Sequence, residues 1–185
     1  NCTDTSELYF RVWIKPYNNG RVYPMTITSV EIEKSNYSHN SILNNSNCVL
    51  SCDKIDSNTY ILNCYCKGVL VYSYNYLYYS QWVKLDVRLK VGDANNGIFQ
   101  LRINDKLITT FNGETGISSP KYMFIGVPSA QGSLKTRCDI DDIAINDITG
   151  NVNNSWCGNG SIVGILPTAN GSKSMFTPME GTQNF

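Results

Sequence analysis

The segment Glu31-Ile32-Glu33 holds two acidic residues at a spacing that could support acid–base chemistry. Alternate residues of a β-strand point to the same face, so the two carboxylates would lie side by side. Hydrolysis of a glycosidic bond uses such a pair. A strand motif of the type E-x-D-x-x-E would add a third acid, but Lys34-Ser35-Asn36 follow here. We therefore expect two solvated carboxylates and no glycosidase site.

A second acidic cluster contains Asp139, Asp141 and Asp142. Alternation places Asp139 and Asp141 on one face of a strand, where their oxygens could bind calcium, which prefers such ligands. Asp142 would point toward the core with Ile140 and Ala144. A buried carboxylate must be paired or hydrogen-bonded, so the pattern predicts a structural role for Asp142, binding the backbone of a neighbouring loop. The structural role and the calcium site are both open on the sequence.

Tyrosine occupies every even position from 72 to 78. Because even positions of a strand share a face, the four rings would form one stripe. A tyrosine ring offers a flat apolar surface and a hydroxyl, which suits stacking on sugars or packing against a protein. Among these residues the candidate contacts are Tyr74, Tyr76 and Tyr78. The alternative is a half-buried sheet face, where tyrosine is also common.

The chain has seven cysteines, an odd number. Cys64 and Cys66 share a strand face, and Cys48 and Cys52 precede them. The spacings C-x-C and C-x3-C are a poor match to the C-x2-C knuckle of a zinc site, so a metal site is the least favoured interpretation. We expect Cys64 and Cys66 to be structural, as buried thiols that pack like small hydrophobic residues; one or two disulfides are the alternative.

Other signs of catalysis and of charged partners are missing from the sequence. The lone histidine, His39, lies in the polar segment 36–47, which predicts a loop without a catalytic triad. No glycine-rich phosphate-binding motif occurs. The net charge is zero, which gives no electrostatic basis for binding nucleic acid, and the apolar runs are far shorter than a membrane span. We therefore predict a non-enzymatic protein without a cofactor, calcium aside, and without nucleic-acid or membrane partners.

The segment from Val83 to Val91 alternates aliphatic and charged residues without a break. This period of two predicts a β-strand with one dry and one wet face. The wet face would be solvated or would face another subunit; its residues are Lys84, Asp86, Arg88 and Lys90. Two further strands follow, Ile98 to Ile103 and Leu107 to Phe111, joined by a short polar turn.

The rest of the chain has the same character. Further strands are predicted at 7–15, 22–33, 60–79, 122–127, 136–146 and 161–166. No segment of helical length shows an apolar stripe with a period of 3.6, so we expect no helices. Many short strands with turn signals predict an antiparallel β-sandwich, or jelly roll. The composition changes near Thr149, so we expect a β-sandwich domain at 1–148 and an extended C-terminal tail at 149–185.

Several motifs in order resemble concanavalin A-like (laminin-G-like) domains. The first are the strands 7–15, 81–85 and 98–104. More particular is the stretch Asp141-Asp142-Ile143 to Gly160, with Trp156, followed by Thr177-Pro178-Met179-Glu180-Gly181-Thr182-Gln183-Asn184-Phe185. It is similar to versions of this fold in tailed-phage structural proteins, although Cys157 replaces the usual proline and the cysteines at 48–66 are not a family feature.

The resemblance implies a virion domain that decorates a head or tail or forms part of a fibre. Its partners would be other virion proteins or copies of itself, and a cell-surface glycan. Trp156 joins the candidate glycan contacts on this basis. Such phage domains begin with an earlier strand and continue further, so the chain is expected to be part of a longer protein. The alternative is a secreted, lectin-like adhesion module of cellular origin, located outside the cell; a glycoside hydrolase of the same fold ranks below both.

Overall fold

The computed structural model describes residues 7–17, 22–29, 39–56, 58–126, 138–149 and 154–158. Their secondary structure is mostly β. In chain order the elements are β1 (Glu7–Pro16), β2 (Val22–Thr28), α1 (His39–Asn45), β3 (Cys48–Lys54), β4 (Thr59–Cys66), β5 (Val69–Tyr78), β6 (Val83–Lys90), β7 (Ile98–Ile103), β8 (Lys106–Asn112), β9 (Tyr122–Gly126) and β10 (Cys138–Asp147). The predicted carboxylate pair of Glu31 and Glu33 lies outside the described residues, as does the predicted strand at 161–166.

The strands form two five-stranded antiparallel sheets. Sheet A has the order β10-β1-β6-β7-β8, and sheet B has the order β5-β4-β3-β2-β9. Neighbours in sheet A include β1 and β10, from the two ends of the described chain. The predicted antiparallel sandwich is confirmed.

The core lies between the sheets and follows the period of two. On β1 the side chains of Leu8, Phe10, Val12 and Ile14 are all buried, as are those of the odd residues of β6 from Val83 to Leu89. Sheet B contributes Met25, Ile27, Leu50, Tyr60 and Leu62 from the other side. Burying one large aliphatic side chain contributes about 1.5–3 kcal/mol. The predicted apolar faces of β1 and β6 are therefore correct.

The predicted wet face of β6 is wrong at two positions. Lys84 and Asp86 are each only 2% exposed, while Arg88 and Lys90 are partly exposed. Neighbouring strands and residues 154–158 lie over this part of the sheet, as described below. A period of two thus identified which residues share a face, but not how deeply that face is covered.

The segment predicted as a polar loop contains a helix. α1 spans seven residues, and its Ile42 and Leu43 pack on Tyr23 and Val49 of sheet B. These contacts are on the outer face of sheet B, away from the core. A helix of under two turns shows too few residues for its apolar stripe to be recognised. His39 begins the helix, and its Nδ1 lies 2.6 Å from the Tyr23 hydroxyl.

Residues predicted as one long strand are a hairpin. β4 and β5 are joined by Lys67 and Gly68, whose φ angles are +46° and +78°. Two central residues with positive φ are typical of the tight type I′ turn. Glycine is favoured at the second position because it adopts a φ of +78° without strain. A Cβ at this position would also lie 2.9 Å from Asn44 Oδ1.

The cysteines of β3 and β4 fill part of the core. Cys48, Cys52, Cys64 and Cys66 are all buried free thiols. Burial raises the pKa of Cys52 and of Cys64 far above the usual value. In the described part of the chain, no three His, Cys, Asp or Glu side chains come together as metal ligands, and no helix is long and apolar enough to cross a membrane.

Candidate functional site

The most distinctive surface is the side of sheet A that faces away from sheet B, called here the A face. The odd residues of β1 and the even residues of β6 reach it, because their neighbours in sequence point into the core. Antiparallel pairing then aligns these residues in rows across the strands. Two rows carry the site.

The inner row consists of Arg11, Asp86 and Arg102, directly opposite one another on β1, β6 and β7. Lys84 lies beside it, with Nζ 3.7 Å from Asp86 Oδ2 and 2.6 Å from Asp105 Oδ1. Burial raises the pKa of Asp86, and this effect exceeds the opposing effect of Lys84. Asp86 Oδ1 and Arg102 Nε are buried and have no hydrogen-bond partner among the described residues.

The outer row is partly exposed and connected by hydrogen bonds. Arg88 Nε donates to Glu7 Oε1 at 2.8 Å, and Arg88 Nη1 donates to Gln100 Oε1 at 3.2 Å. Gln100 Nε2 then donates to Thr110 Oγ1 at 3.2 Å. The Tyr9 hydroxyl donates to the same Glu7 oxygen at 2.6 Å. This row, from Glu7 to Thr110, is called the polar ladder below.

The charges of the ladder set its protonation. Burial raises the pKa of Glu7, but the hydrogen bonds from Arg88 and Tyr9 outweigh it and leave the pKa below the usual value. Burial and the hydrogen bond to Glu7 both raise the pKa of Tyr9. A tyrosine with a raised pKa is poorly suited to remove a proton, so this hydroxyl acts as a hydrogen-bond donor.

Residues 154–158, called the cover segment, lie across the inner row. The Trp156 ring has its centroid 3.9 Å from the Arg102 guanidinium carbon and meets the Tyr9 ring edge-on at 5.5 Å. Cys157 is buried, and the Gly158 carbonyl accepts a hydrogen bond from Arg11 Nη1. Trp156, a predicted contact residue, therefore stands on the A face beside the ladder.

The tyrosines of β5 do not form the predicted stripe. The register with β4 shifts between Tyr60 and Leu62. As a result Tyr72 and Tyr74 pack against the core, and Leu77 takes the inward position further along. Tyr78 is 49% exposed, and the side chain of Tyr76 lies outside the described residues. A bulge adds one residue to one strand and reverses the alternation after it.

The acidic cluster on β10 is also divided by a bulge, opposite Arg11 and Trp13. Asp142 has a φ of +50°, and its Oδ1 accepts a hydrogen bond from Arg11 Nη2 at 2.9 Å. Its predicted orientation toward the core is therefore wrong: it has an ion pair on the A face.

Asp139 and Asp141 do not make a calcium cage with a third acidic side chain among the described residues. Asp139 Oδ2 accepts a hydrogen bond from the Tyr17 hydroxyl at 2.6 Å, and Asp141 Oδ1 accepts one from the Asp142 amide at 2.8 Å. Calcium needs six to eight oxygen ligands, so the described geometry does not support a site there.

Three parts of the site were not predicted from the sequence: Gln100, Arg102 and the role of Arg88. Each is a polar residue at an alternate position of a confirmed strand. The signal that could have found them was the short turn at Asn104-Asp105, which fixes β7 beside β6 and β8. The sequence does not show that β1 joins these strands, so the partner Glu7 could not be inferred.

We expect Glu7→Gln to change the acid stability of the protein. The folded pKa of Glu7 lies below its usual 4.5, so its contribution is complete above that pH and is lost as the pH falls through the folded pKa. The variant should lose about 0.5–1 kcal/mol at pH 7, and the two proteins should converge as the pH falls through the folded pKa of Glu7. Guanidinium denaturation at several pH values measures this; Glu114→Gln, at an exposed position, should match the wild type throughout. Parallel curves for Glu7→Gln and wild type would contradict the assignment.

Comparisons with known proteins identify the fold. No family model and no curated protein matches the sequence. Among solved structures, alginate lyase Aly36B superposes with a TM-score of 0.53 at 12% identity, covering 80% of this chain and 72% of that one. A marine PL-14 alginate lyase from Aplysia kurodai gives 0.54 at 9% identity, with 78% and 71% covered. The carbohydrate recognition domain of Emp47p gives 0.50 at 13% identity, with 76% and 71% covered.

At such low sequence identities, these superpositions establish the fold alone. The chain has the concanavalin A-like jelly roll shared by lectin-like proteins, as the sequence predicted. The finer resemblance to tailed-phage domains stays a prediction.

Proposed function

We propose that this chain is a non-enzymatic surface domain of a tailed-phage virion that binds a glycan through the A face. Glycan binding is supported by the position of Trp156 directly beside the polar ladder. Its ring centroid lies 3.9 Å from the guanidinium carbon of Arg102. An aromatic ring next to several exposed hydrogen-bonding side chains is the combination that recognises sugars.

The ladder supplies the polar half of this recognition. Gln100 and Thr110 are both partly or fully exposed and offer amide and hydroxyl groups. Sugar hydroxyls donate and accept, so they can replace the 3.2 Å bonds that the ladder residues make to one another. Trp156 is only partly buried, which leaves ring surface for an apolar sugar face.

The neighbouring structures support a glycan ligand. One is named a carbohydrate recognition domain, and an Aly36B variant was solved in complex with an alginate tetrasaccharide. The virion part rests on the motifs at 141–160 and 177–185, of which 141–149 and 154–158 are described. Portal, capsid or tail genes beside the reading frame, and the chain's presence in purified particles by mass spectrometry, test that part.

Binding is tested with a panel of bacterial surface polysaccharides that also contains alginate trisaccharide. We expect the wild type to bind a member of the panel and Trp156→Ala to weaken that binding about 30-fold, the effect of losing a central aromatic contact. Gln100→Ala should weaken it about 2–10-fold through a lost hydrogen bond. Isothermal titration gives both dissociation constants.

Two control variants separate recognition from folding. Trp156→Phe keeps an aromatic ring and should retain most of the affinity, and Gln81→Ala alters an exposed glutamine outside the strands and should bind like the wild type. Thermal melts identify variants that fail to fold. Failure of the wild type to bind any polysaccharide, or full affinity in Trp156→Ala, would overturn the glycan proposal.

A lyase is the second candidate, favoured by Tyr9, Arg88 and Gln100 standing together on the A face. A β-elimination on a uronic acid needs a group that neutralises the carboxylate and a base that removes a proton. Arg88 and Gln100 have the chemistry of the first, but the raised pKa of Tyr9 opposes its use as the base. We expect no unsaturated product from alginate, followed by ultraviolet absorbance. Product formation that Tyr9→Phe abolishes would establish the lyase instead.

A further inference from the structure

Two of the buried cysteines face each other directly. In the register of β3 and β4, Cys48 is opposite Cys66, whereas Cys64 is opposite Leu50 and Cys52 is opposite Leu62. Cys48 and Cys66 both point into the core and are 0% and 1% exposed. Among the cysteines of these two strands they are the one pair that the register places face to face.

The hydrogen-bond pattern shows which kind of pair this is. The amide of Lys67 donates to the carbonyl of Asn47 at 3.3 Å, and these residues lie immediately outside the pair. In an antiparallel ladder this bond occurs when the enclosed pair exchanges no backbone hydrogen bonds with each other. Such a pair has its Cα atoms about 4.5 Å apart, which is inside the range of about 4.4–6.8 Å for disulfides.

The two side chains are neighbours on the same side of the sheet, and Cys66 is among the groups that raise the pKa of Cys48. Neither strand has to move far for the two sulfur atoms to bond, since the backbone spacing already fits. By contrast Cys64 and Cys66 are on one strand with parallel side chains, about 6.6 Å apart along it.

We propose that Cys48 and Cys66 form an intrachain disulfide when the chain folds in an oxidising environment. With oxidised glutathione as the oxidant, the thiolate of one cysteine attacks the glutathione disulfide and releases one glutathione. The other thiolate then attacks the protein sulfur of the mixed disulfide and releases the second glutathione. The two cysteines lose two protons and two electrons, and the oxidant becomes two thiols.

The bond forms before the two sheets close. Burial and the contact with Cys66 both raise the pKa of Cys48 well above its usual value, and the thiolate is the reacting species. In the folded protein both thiols are covered by the core, so glutathione cannot reach them. Once formed, the bond joins β3 to β4 at the end of the pair opposite the β3–β4 connection. This end lies next to the Lys67-Gly68 turn that leads from β4 into β5.

Refolding of the reduced protein in a mixture of oxidised and reduced glutathione tests the proposal. We expect the product to be two hydrogen atoms lighter, and digestion without reductant to yield a peptide that joins Cys48 to Cys66. The oxidised protein should melt several degrees above the reduced protein, since closing the loop limits the unfolded chain. The native reduced protein, treated with oxidised glutathione alone, should react much more slowly.

Two variants complete the test. Cys64→Ser alters the neighbouring thiol and should leave the joined peptide in place, whereas Cys48→Ser should remove it. Because the disulfide is also mapped in the wild type, the test does not depend on the folding of either variant. Recovery of Cys48 and Cys66 as alkylated thiols after oxidative refolding, or a bond that joins either of them to another cysteine, would overturn the proposal.

Discussion

Lys84→Met is expected to lower the free energy of unfolding by about 3 kcal/mol, because removing one member of a buried ion pair leaves the other charge less well compensated. Lys84 is 2% exposed, as is Asp86, and its Nζ lies 3.7 Å from the Asp86 carboxylate. Methionine keeps the length and the apolar part of the side chain. The loss therefore reports on the ion pairs of Lys84 with Asp105, which is exposed, and with Asp86, whose pKa burial already raises.

The pH dependence and a double variant identify the cause. Without Lys84 the pKa of Asp86 rises further, so the variant should recover stability as the pH falls and Asp86 takes up a proton. Lys84→Met with Asp86→Leu removes both charges and should regain part of the loss, since an apolar pair often replaces a buried ion pair without cost, while Arg11 and Arg102 lose the carboxylate between them. Guanidinium denaturation at pH 7 and pH 4 measures all three proteins. Equal losses in the single and double variants would show that packing, not charge, is responsible.

Arg11→Ala is expected to cost about 2–4 kcal/mol, because Arg11 joins three parts of the molecule from a buried position. It is 5% exposed, donates to Asp142 Oδ1 at 2.9 Å and to the Gly158 carbonyl, and lies opposite Asp86. Alanine leaves the buried Asp86 carboxylate, the partly buried Asp142 carboxylate and the Gly158 carbonyl with fewer donors. The cover segment, held by this contact and by Trp156, should then open more readily.

Hydrogen exchange of amides 154–158 measures the opening, alongside denaturation for the overall loss. Arg11→Lys keeps a positive charge beside Asp86 and Asp142 but lacks the forked donors of arginine, so it should recover part of the stability while exchange in the cover segment stays fast. If exchange at 154–158 is unchanged in Arg11→Ala, Arg11 does not hold this segment.

The sequence was sufficient for the fold because the strands alternate clearly. On β1 and β6 the inward residues are those that the period of two selects, from Leu8 to Ile14 and from Val83 to Leu89. The same rule failed where a strand carries an extra residue. At Tyr74 and at Asp142 a bulge reverses the alternation, and a single sequence does not show where two strands lose register.

The candidate site was harder to predict than the fold because it depends on which distant strands pair. Trp156 was identified on the sequence, but its contacts Tyr9 and Arg102 come from β1 and β7. The burial of Lys84 follows from the same cause, since its surroundings belong to other strands and to the cover segment. Local sequence patterns predict which way each side chain points. Its burial and its contacts depend on which strands pair in the folded protein.

The pairing of β1 with β10 has a consequence for how the chain acquires its structure. At synthesis rates of about 5–20 residues per second, β1 leaves the ribosome on the order of ten seconds before β10 can join it. Contacts between such distant segments give a high contact order, which slows folding. Through that interval the backbone edge of β1 that later pairs with β10 stays unpaired, and such an edge can pair with another chain. Completion of sheet A is therefore a late event in folding.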